Sequence, residues 1–266
     1  MKYKCGFIGY GNMASAIVGG ILANNVLPAD LIFVYDQDHN KTNSLRGIHV
    51  CESVGDLAQH ADIIFLCVKP NIIPAAAAEI KTDDKAVVSI AAGVRTEDLL
   101  LYIPANGTRT MRIMPNTPLM VGKGAICIQV PNNLLQGEKE FIYNIFSNLG
   151  IVEEVNEDRM DVVTGVSGSG PAYVYHFIDS LAKAGEANGL EYEQSLALAV
   201  QTFEGACAML KQSDGKNPEQ LIADVCSPGG TTIEAMDVFY KKDVAGIIRE
   251  AVDACVRRTQ ELSGGK

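Results

Sequence analysis

Eight residues near the start, Phe7-Ile8-Gly9-Tyr10-Gly11-Asn12-Met13-Ala14, restrict what this chain can fold into more than any other stretch. An apolar run from Tyr3 to Ile8 ends there, and a run of small and apolar residues from Ala14 to Ala23 begins, which reads as strand, tight glycine turn and helix. Gly9 permits the sharp turn, and Gly11 lets a pyrophosphate approach bare backbone. Ala14, standing where a third glycine would be, still lets the helix pack closely on the strand. The turn and helix start, including Tyr10, Asn12 and Met13, then present unpaired N–H groups to the phosphates. The expectation is a dinucleotide site, set against the plainer reading of a tight turn.

A chain of 266 residues suits one large domain or two, and two is the reading here. The formal net charge of -10 and a pI near 4.9 argue against nucleic acid or an anionic membrane as partner, since either would want a basic patch. Seven cysteines, an odd number without a C-x-x-C pair and mostly inside apolar runs, are the usage of a reduced cytosol, so a cytoplasmic location is expected. Neither a signal peptide nor a membrane span is expected. The four histidines show no paired-ligand spacing, so no metal is expected.

After the first helix, Leu31 to Tyr35 is a short apolar run ending in Asp36, where the second strand of a dinucleotide fold delivers an acid to the adenosine ribose. An acid there suits a 2′-hydroxyl better than a 2′-phosphate, and Lys41 is the first basic residue beyond it, so NADH is favoured over NADPH. Further strands are read at His49 to Cys51, Asp62 to Val68, Ala86 to Ile90, Thr108 to Met114, Ala125 to Val130 and Ile151 to Val155, with helices between, one of them Leu134 to Leu149. Ser53 is placed to cap a short helix, and Lys69-Pro70 stops the Asp62 strand. The small residues Ala91-Ala92-Gly93 would let a ring or ribose lie against a strand end, where open parallel sheets bind ligands. The fold class expected is α/β: a Rossmann-like N-terminal domain with a mostly parallel sheet, followed by an all-helical C-terminal dimerisation domain.

From about Met160 onward helical periodicity replaces strands, so the domain boundary is drawn between residues 1–159 and 160–266. Gly170 to Asn188 places Val174, Phe177, Ile178 and Leu181 on one face, and Gly189 stops it. Leu196 to Leu210 is apolar or small almost all round, which a thin satellite domain cannot bury alone, and dimerisation follows as the expectation. Ser167 fails as a nucleophile elbow because Ser169 stands where glycine is needed, so hydrolase chemistry is disfavoured. Glu153-Glu154 and Glu157-Asp158 read by default as a solvated loop or a helix N-terminus, where negative charge is favourable. The stretches Thr164 to Tyr173 and Val225 to Thr232 put hydroxyls and glycine amides ahead of a helix, a ready anion site that suits a carboxylate as well as a phosphate.

At these residues the chain resembles a pyrroline-5-carboxylate reductase over nearly its whole length. The resemblance rests on the Phe7 to Ala14 turn, Val68-Lys69-Pro70, Ala91-Ala92-Gly93, the Ser167 to Tyr173 run and, most distinctively, Val225 to Thr232 followed by Ile233 and Ala235. It implies a helical domain that interlocks two protomers, active sites between subunits, and assembly into a ring of dimers, a homodecamer. It places Val68, Lys69 and Pro70 on the nicotinamide side and adds Asn116 to the cofactor positions. Ser227, Gly230 and Thr231 would hold the substrate carboxylate, Thr232 would sit near the imine nitrogen as the catalytic group, and Glu157 and Thr164 would be further substrate-side positions. Asp36-Gln37 departs from relatives that carry a polar or basic pair for NADPH.

The implied reaction is hydride transfer from NAD(P)H to a protonated cyclic imine, already an electrophile, so the protein's task is mainly orientation. Rival readings are a reductase of another cyclic imine, a 3-hydroxy acid dehydrogenase and a dinucleotide-binding regulator. The second would need a lysine in the long interdomain helix, where only Lys183 is near, and the intact Ser227 to Thr232 loop speaks against the third.

Overall fold

The computed structural model describes residues 3–213 and 215–263. Its strands are β1 (Cys5–Ile8), β2 (Ile32–Tyr35), β3 (His49–Val50), β4 (Ile63–Leu66), β5 (Ala86–Ser89), β6 (Arg109–Met114), β7 (Gly124–Val130) and β8 (Gly150–Asn156). They form one sheet in the order β3-β2-β1-β4-β5-β6-β7-β8, with every neighbouring pair parallel except β6 and β7. The exception has a local cause. The β6–β7 connection holds only a tight helical turn, Thr117–Val121, ended by Gly122 at φ 68°, and a parallel return would need a full crossover.

Helices α1 (Asn12–Ala23), α2 (Val54–His60), α3 (Ile73–Ala78), α4 (Thr96–Tyr102) and α5 (Gln136–Ser147) cover the sheet. Alternate residues of each central strand serve opposite faces. Phe7, Phe65, Val88 and Met111 meet α1 and α5 in one core, while Ile8, Ile64, Leu66 and Val87 meet α2, α3 and α4 in the other. Phe7 and Phe65 stack in register at 4.8 Å between ring centres. Burial on both faces is why β1, β4 and β5 read as nearly unbroken apolar runs instead of alternating ones. Ser53 caps α2 as its sequence suggests, accepting from the amide of Asp56 at 3.0 Å.

Beyond Asn156 the described residues form no further strand. They form α6 (Met160–Val163), α7 (Gly170–Ala187), α8 (Tyr192–Gln212), α9 (Pro218–Val225), α10 (Thr231–Lys241) and α11 (Val244–Leu262). Gly189, at φ 101°, ends the turn after α7. Contacts divide the chain into one unit of Met1–Pro171 with Ala254–Lys266 and a second of Ala172–Asp253. Within the second unit α8 buries only Ser195 and Ala199, while Leu198, Val200 and Met209 are 55%, 46% and 65% exposed. The stripe on α7 is likewise uncovered, with Val174, Phe177 and Leu181 all exposed. So much apolar surface on one element is the mark of an interaction face.

Candidate active site

The glycine turn after β1 is built as its sequence requires. The amide of Gly9 donates to the carbonyl of Tyr35 at 2.7 Å, with φ at +89°, and a Cβ there would lie 2.7 Å from Val68 Cγ1 and 3.0 Å from the Cys67 backbone. No larger residue fits. Gly11 begins α1 as its N-cap, and a Cβ there would meet nothing within 4 Å, so its bare backbone faces open space. Neither a side chain nor a first-turn acid competes for the α1 N-terminus, which leaves its amides for an anion.

Beside this turn runs a cleft of about 330 Å³, lined by Gly9, Gly11, Asp36, Lys41, Val68 and Lys69 among others. Asp36 is fully engaged at its edge. Its carboxylate accepts from the amides of Tyr10 (2.7 Å) and Asp38 (2.9 Å) and from Lys41 Nζ at 3.1 Å on both oxygens. Burial would raise its pKa, but the two amides and the ammonium outweigh that and hold it below the usual carboxylate range.

A second cleft, of about 350 Å³, shares Cys67, Val68 and Lys69 with the first and adds Met13, Pro70, Ala91, Ala92 and Thr164. Its far wall is an unusual turn: the amide of Ser169 reaches back five residues to the carbonyl of Thr164 at 2.8 Å, a π-helical turn of the kind that recurs at functional sites. The turn places Gly168 and Ser169 on the cleft wall, where Ser169 Oγ also lies 3.2 Å from Cys255 Sγ. The Thr164 hydroxyl is directed back to the carbonyl of Met160 at 3.0 Å. Burial pushes the Cys67 thiol up, so it stays protonated.

Three residues expected in the site are used otherwise in this unit. Asn116 is buried and bridges backbone, accepting from Ala125 N at 2.9 Å and donating to Ser167 O at 3.0 Å. Gly93, at φ +73°, faces the last turn of α11, where a Cβ would come within 2.8 Å of the Thr259 carbonyl. Glu157 lines neither cleft. Its carboxylate accepts from Thr96 N (2.7 Å), Thr96 Oγ1 (2.5 Å) and Arg112 Nη1 (3.3 Å), and Arg112 Nη2 stands 4.0 Å from Asp161. Arg112 and Thr96 were not picked out from the sequence. The two arginines inside the strand Thr108 to Met114 are the available signal, because a charge on a buried strand must find a partner.

In the second unit, Ser227, Gly230, Thr231 and Thr232 form one structure. The Gly230 amide donates to the Ser227 carbonyl at 3.0 Å, Gly229 takes φ 72°, and Gly230 is the N-cap of α10 without any side-chain cap. A Cβ on Gly230 would collide with the Ser227 hydroxyl. Ser227 and Thr231 are exposed and Thr232 is half-buried, lining an apolar groove of about 390 Å³ with Met209, Cys226 and Met236. Hydroxyls and first-turn amides thus gather at the start of α10, an arrangement that suits an anion. Among the described residues no three His, Cys, Asp or Glu side chains are grouped to hold a metal ion, and no helix is long and apolar enough to cross a membrane.

Two family models match the chain: "pyrroline-5-carboxylate reductase dimerisation" over residues 157–262 and "NADP oxidoreductase coenzyme F420-dependent" over residues 4–93. Pyrroline-5-carboxylate reductase of Escherichia coli is 40% identical over 99% of this chain and 99% of its own. The pea (Pisum sativum) enzyme of that name is 36% identical over 98% of this chain and 97% of its own. The crystal structure of Plasmodium falciparum pyrroline carboxylate reductase with NADP bound superposes with a TM-score of 0.91 at 33% identity, covering 98% of both chains.

Proposed function

We infer function from kinship and geometry together: this chain belongs to the pyrroline-5-carboxylate reductase family, and it reduces 1-pyrroline-5-carboxylate to L-proline by hydride transfer from a reduced nicotinamide dinucleotide, the last step of proline biosynthesis. The observation that carries the reading is the pairing, in one chain, of an open glycine-turn cleft with an uncapped Ser227–Gly230 turn at the start of α10. The coenzyme fits the first of these, since Gly9 admits no side chain, Gly11 leaves its backbone bare, and the α1 amides are free for phosphate.

Residues 1–159 bind the dinucleotide, and residues 160–266 carry the substrate turn and the dimer contacts. Gly9, Tyr10, Gly11, Asn12 and Met13 hold the pyrophosphate through backbone. Val68, Lys69, Pro70, Ala91 and Ala92 flank the nicotinamide, and Gly93 and Asn116 support the same loops. Held there, a dihydronicotinamide would supply the hydride that the imine carbon accepts. Ser227 donates its hydroxyl and Thr231 its amide to the substrate carboxylate, and Gly230, whose own amide closes the turn on the Ser227 carbonyl, shapes the backbone that holds them there. Thr232 hydrogen-bonds the ring nitrogen, whose proton comes from water, because a threonine hydroxyl is too weak an acid to supply it. Thr164 bounds the substrate side of the second cleft, and Glu157 stands behind it.

NADH is the favoured coenzyme. The carboxylate of Asp36 would repel a 2′-phosphate, and its ion pair already occupies Lys41. The exposed helical surface pairs with a second copy, so that the site is completed across subunits, and the dimers join in a ring. No metal takes part, and the enzyme works in the cytoplasm. The reading is tested by following oxidation of NADH and of NADPH separately with pyrroline-5-carboxylate. Turnover with either supports it, and coenzyme binding without turnover overturns it.

A further inference from the structure

Three of the backbone segments that line the second cleft each begin or end close to one member of a partly buried polar cluster. Ala91-Ala92 leads through Gly93 to Thr96, Arg112 stands two residues before Met114-Pro115, and Glu157 stands three before α6, which runs into the Thr164 to Ser169 turn. The cluster joins them directly. Glu157 takes the Thr96 amide on one carboxylate oxygen and the Thr96 hydroxyl on the other, and the first oxygen also faces Arg112 Nη1 at 3.3 Å. The Arg112 side chain is only 2% exposed, and its Nε and Nη2 have no hydrogen-bond acceptor. Its charge therefore leans on Glu157 and, at 4.0 Å, on Asp161, and such an arrangement has one good geometry.

We propose that Glu157, Arg112 and Thr96 are positioning residues that fix the spacing between the Ala91-Ala92 wall and the Thr164 to Ser169 wall, with Glu157 acting through Thr96 and touching no substrate. The proposal rests on the reading that this cleft takes the nicotinamide. A displacement of a reacting centre by about 1 Å can cost on the order of a hundredfold in rate, so a wall held by two hydrogen bonds is a sensitive place.

The test compares Thr96→Val, Thr96→Ser and Glu157→Gln in the full chain, using coenzyme deuterated at the transferred position. Thr96→Val should lower kcat about tenfold with KM for pyrroline-5-carboxylate within about threefold, and should raise the primary isotope effect. Thr96→Ser, which keeps both donors, should stay within about twofold of the parent. Glu157→Gln should follow Thr96→Val in direction. A second reading needs no turnover: the fluorescence enhancement of bound NADH should drop in Thr96→Val and survive in Thr96→Ser. Parental kcat, isotope effect and fluorescence in Thr96→Val would overturn the proposal, as would a raised KM with unchanged kcat in Glu157→Gln, the trace of a direct substrate contact. A parent chain that binds NADH but reduces no imine would overturn the functional reading alone, and the fluorescence series would still decide on the triad.

Discussion

The carboxylate of Asp36 accepts a 2.7 Å hydrogen bond from the amide of Tyr10, which ties the end of β2 to the glycine turn after β1. The residue proposed to read the ribose is thus also a brace of the glycine turn.

Asp36→Ser should therefore do two things. With the like charge gone and Lys41 released, the ratio of kcat/KM for NADH over NADPH should fall about tenfold, the effect of roughly 1.4 kcal/mol of differential binding. With the brace weakened, KM for both coenzymes should rise. Steady-state kinetics with each coenzyme checks this, and a parent chain already faster in kcat/KM with NADPH would contradict the assignment.

Acid should weaken the fold through Glu157. Its half-burial opposes ionisation, but the Thr96 hydroxyl and amide and the Arg112 guanidinium outweigh that and hold the carboxyl below its usual range. The folded state then binds fewer protons than the unfolded one. The contribution is complete above the ordinary glutamate pKa of about 4.3 and is lost as pH falls through the lower folded value. Urea midpoints measured from pH 7 down to pH 3 should drop, and the drop should be smaller in Glu157→Gln. Asp36, held low in the same sense, adds to the parent's slope.

Much of this was legible in the sequence. The central strands β1, β2, β4 and β5 were apolar runs closed by turn residues, because a sheet covered on both faces needs no polar alternation. The Ser53 cap and the Gly189 stop are local, and local chemistry decides them. What sequence could not show is how residues far apart meet. Glu157 reads as a solvated carboxylate until Thr96 and Arg112, 61 and 45 positions away, come to it across the sheet. Asn116 reads as a loop residue until it spans Ala125 and Ser167. The antiparallel β6–β7 pair was hidden for the same reason, since only the geometry of the Thr117–Val121 turn sets its direction. The apolar α8, in contrast, announced a partner, and the helical half matches a dimerisation model.

Ser227, in the turn before α10, and Thr232, in the first turn of α10, should leave different kinetic traces. Ser227→Ala removes one hydrogen bond to a charged carboxylate, worth roughly 1.5–3 kcal/mol and felt by ground and transition states alike, so KM should rise with kcat little changed. Thr232→Ala removes a group whose partner changes from imine to amine as hydride arrives, so kcat should fall by more than KM rises. Coenzyme affinity should be unchanged in both. Loss of kcat alone in Ser227→Ala, or parental behaviour in Thr232→Ala, would contradict these roles.

The exposed face of α8 makes an oligomer prediction. Leu198 and Met209, about three turns apart, share one side of the helix and are both exposed. Sedimentation of the parent should give a dimer or a multiple of it, and Leu198→Glu with Met209→Glu should shift it towards monomer, because an unpaired charge in a dry interface costs several kcal/mol. Ala199 differs: it is already 3% exposed within one chain, so Ala199→Glu should impair folding itself. A well-folded, active parent monomer would refute the dimer.

The most direct test of the central claim is the fate of the transferred hydrogen. The chain is incubated with pyrroline-5-carboxylate and NADH carrying deuterium at the transferred C4 position, and the product is read by mass spectrometry. The account predicts L-proline with one deuterium, on the ring carbon that was the imine carbon, in a one-to-one ratio with oxidised coenzyme. Unlabelled proline, or coenzyme consumed without proline, would contradict it.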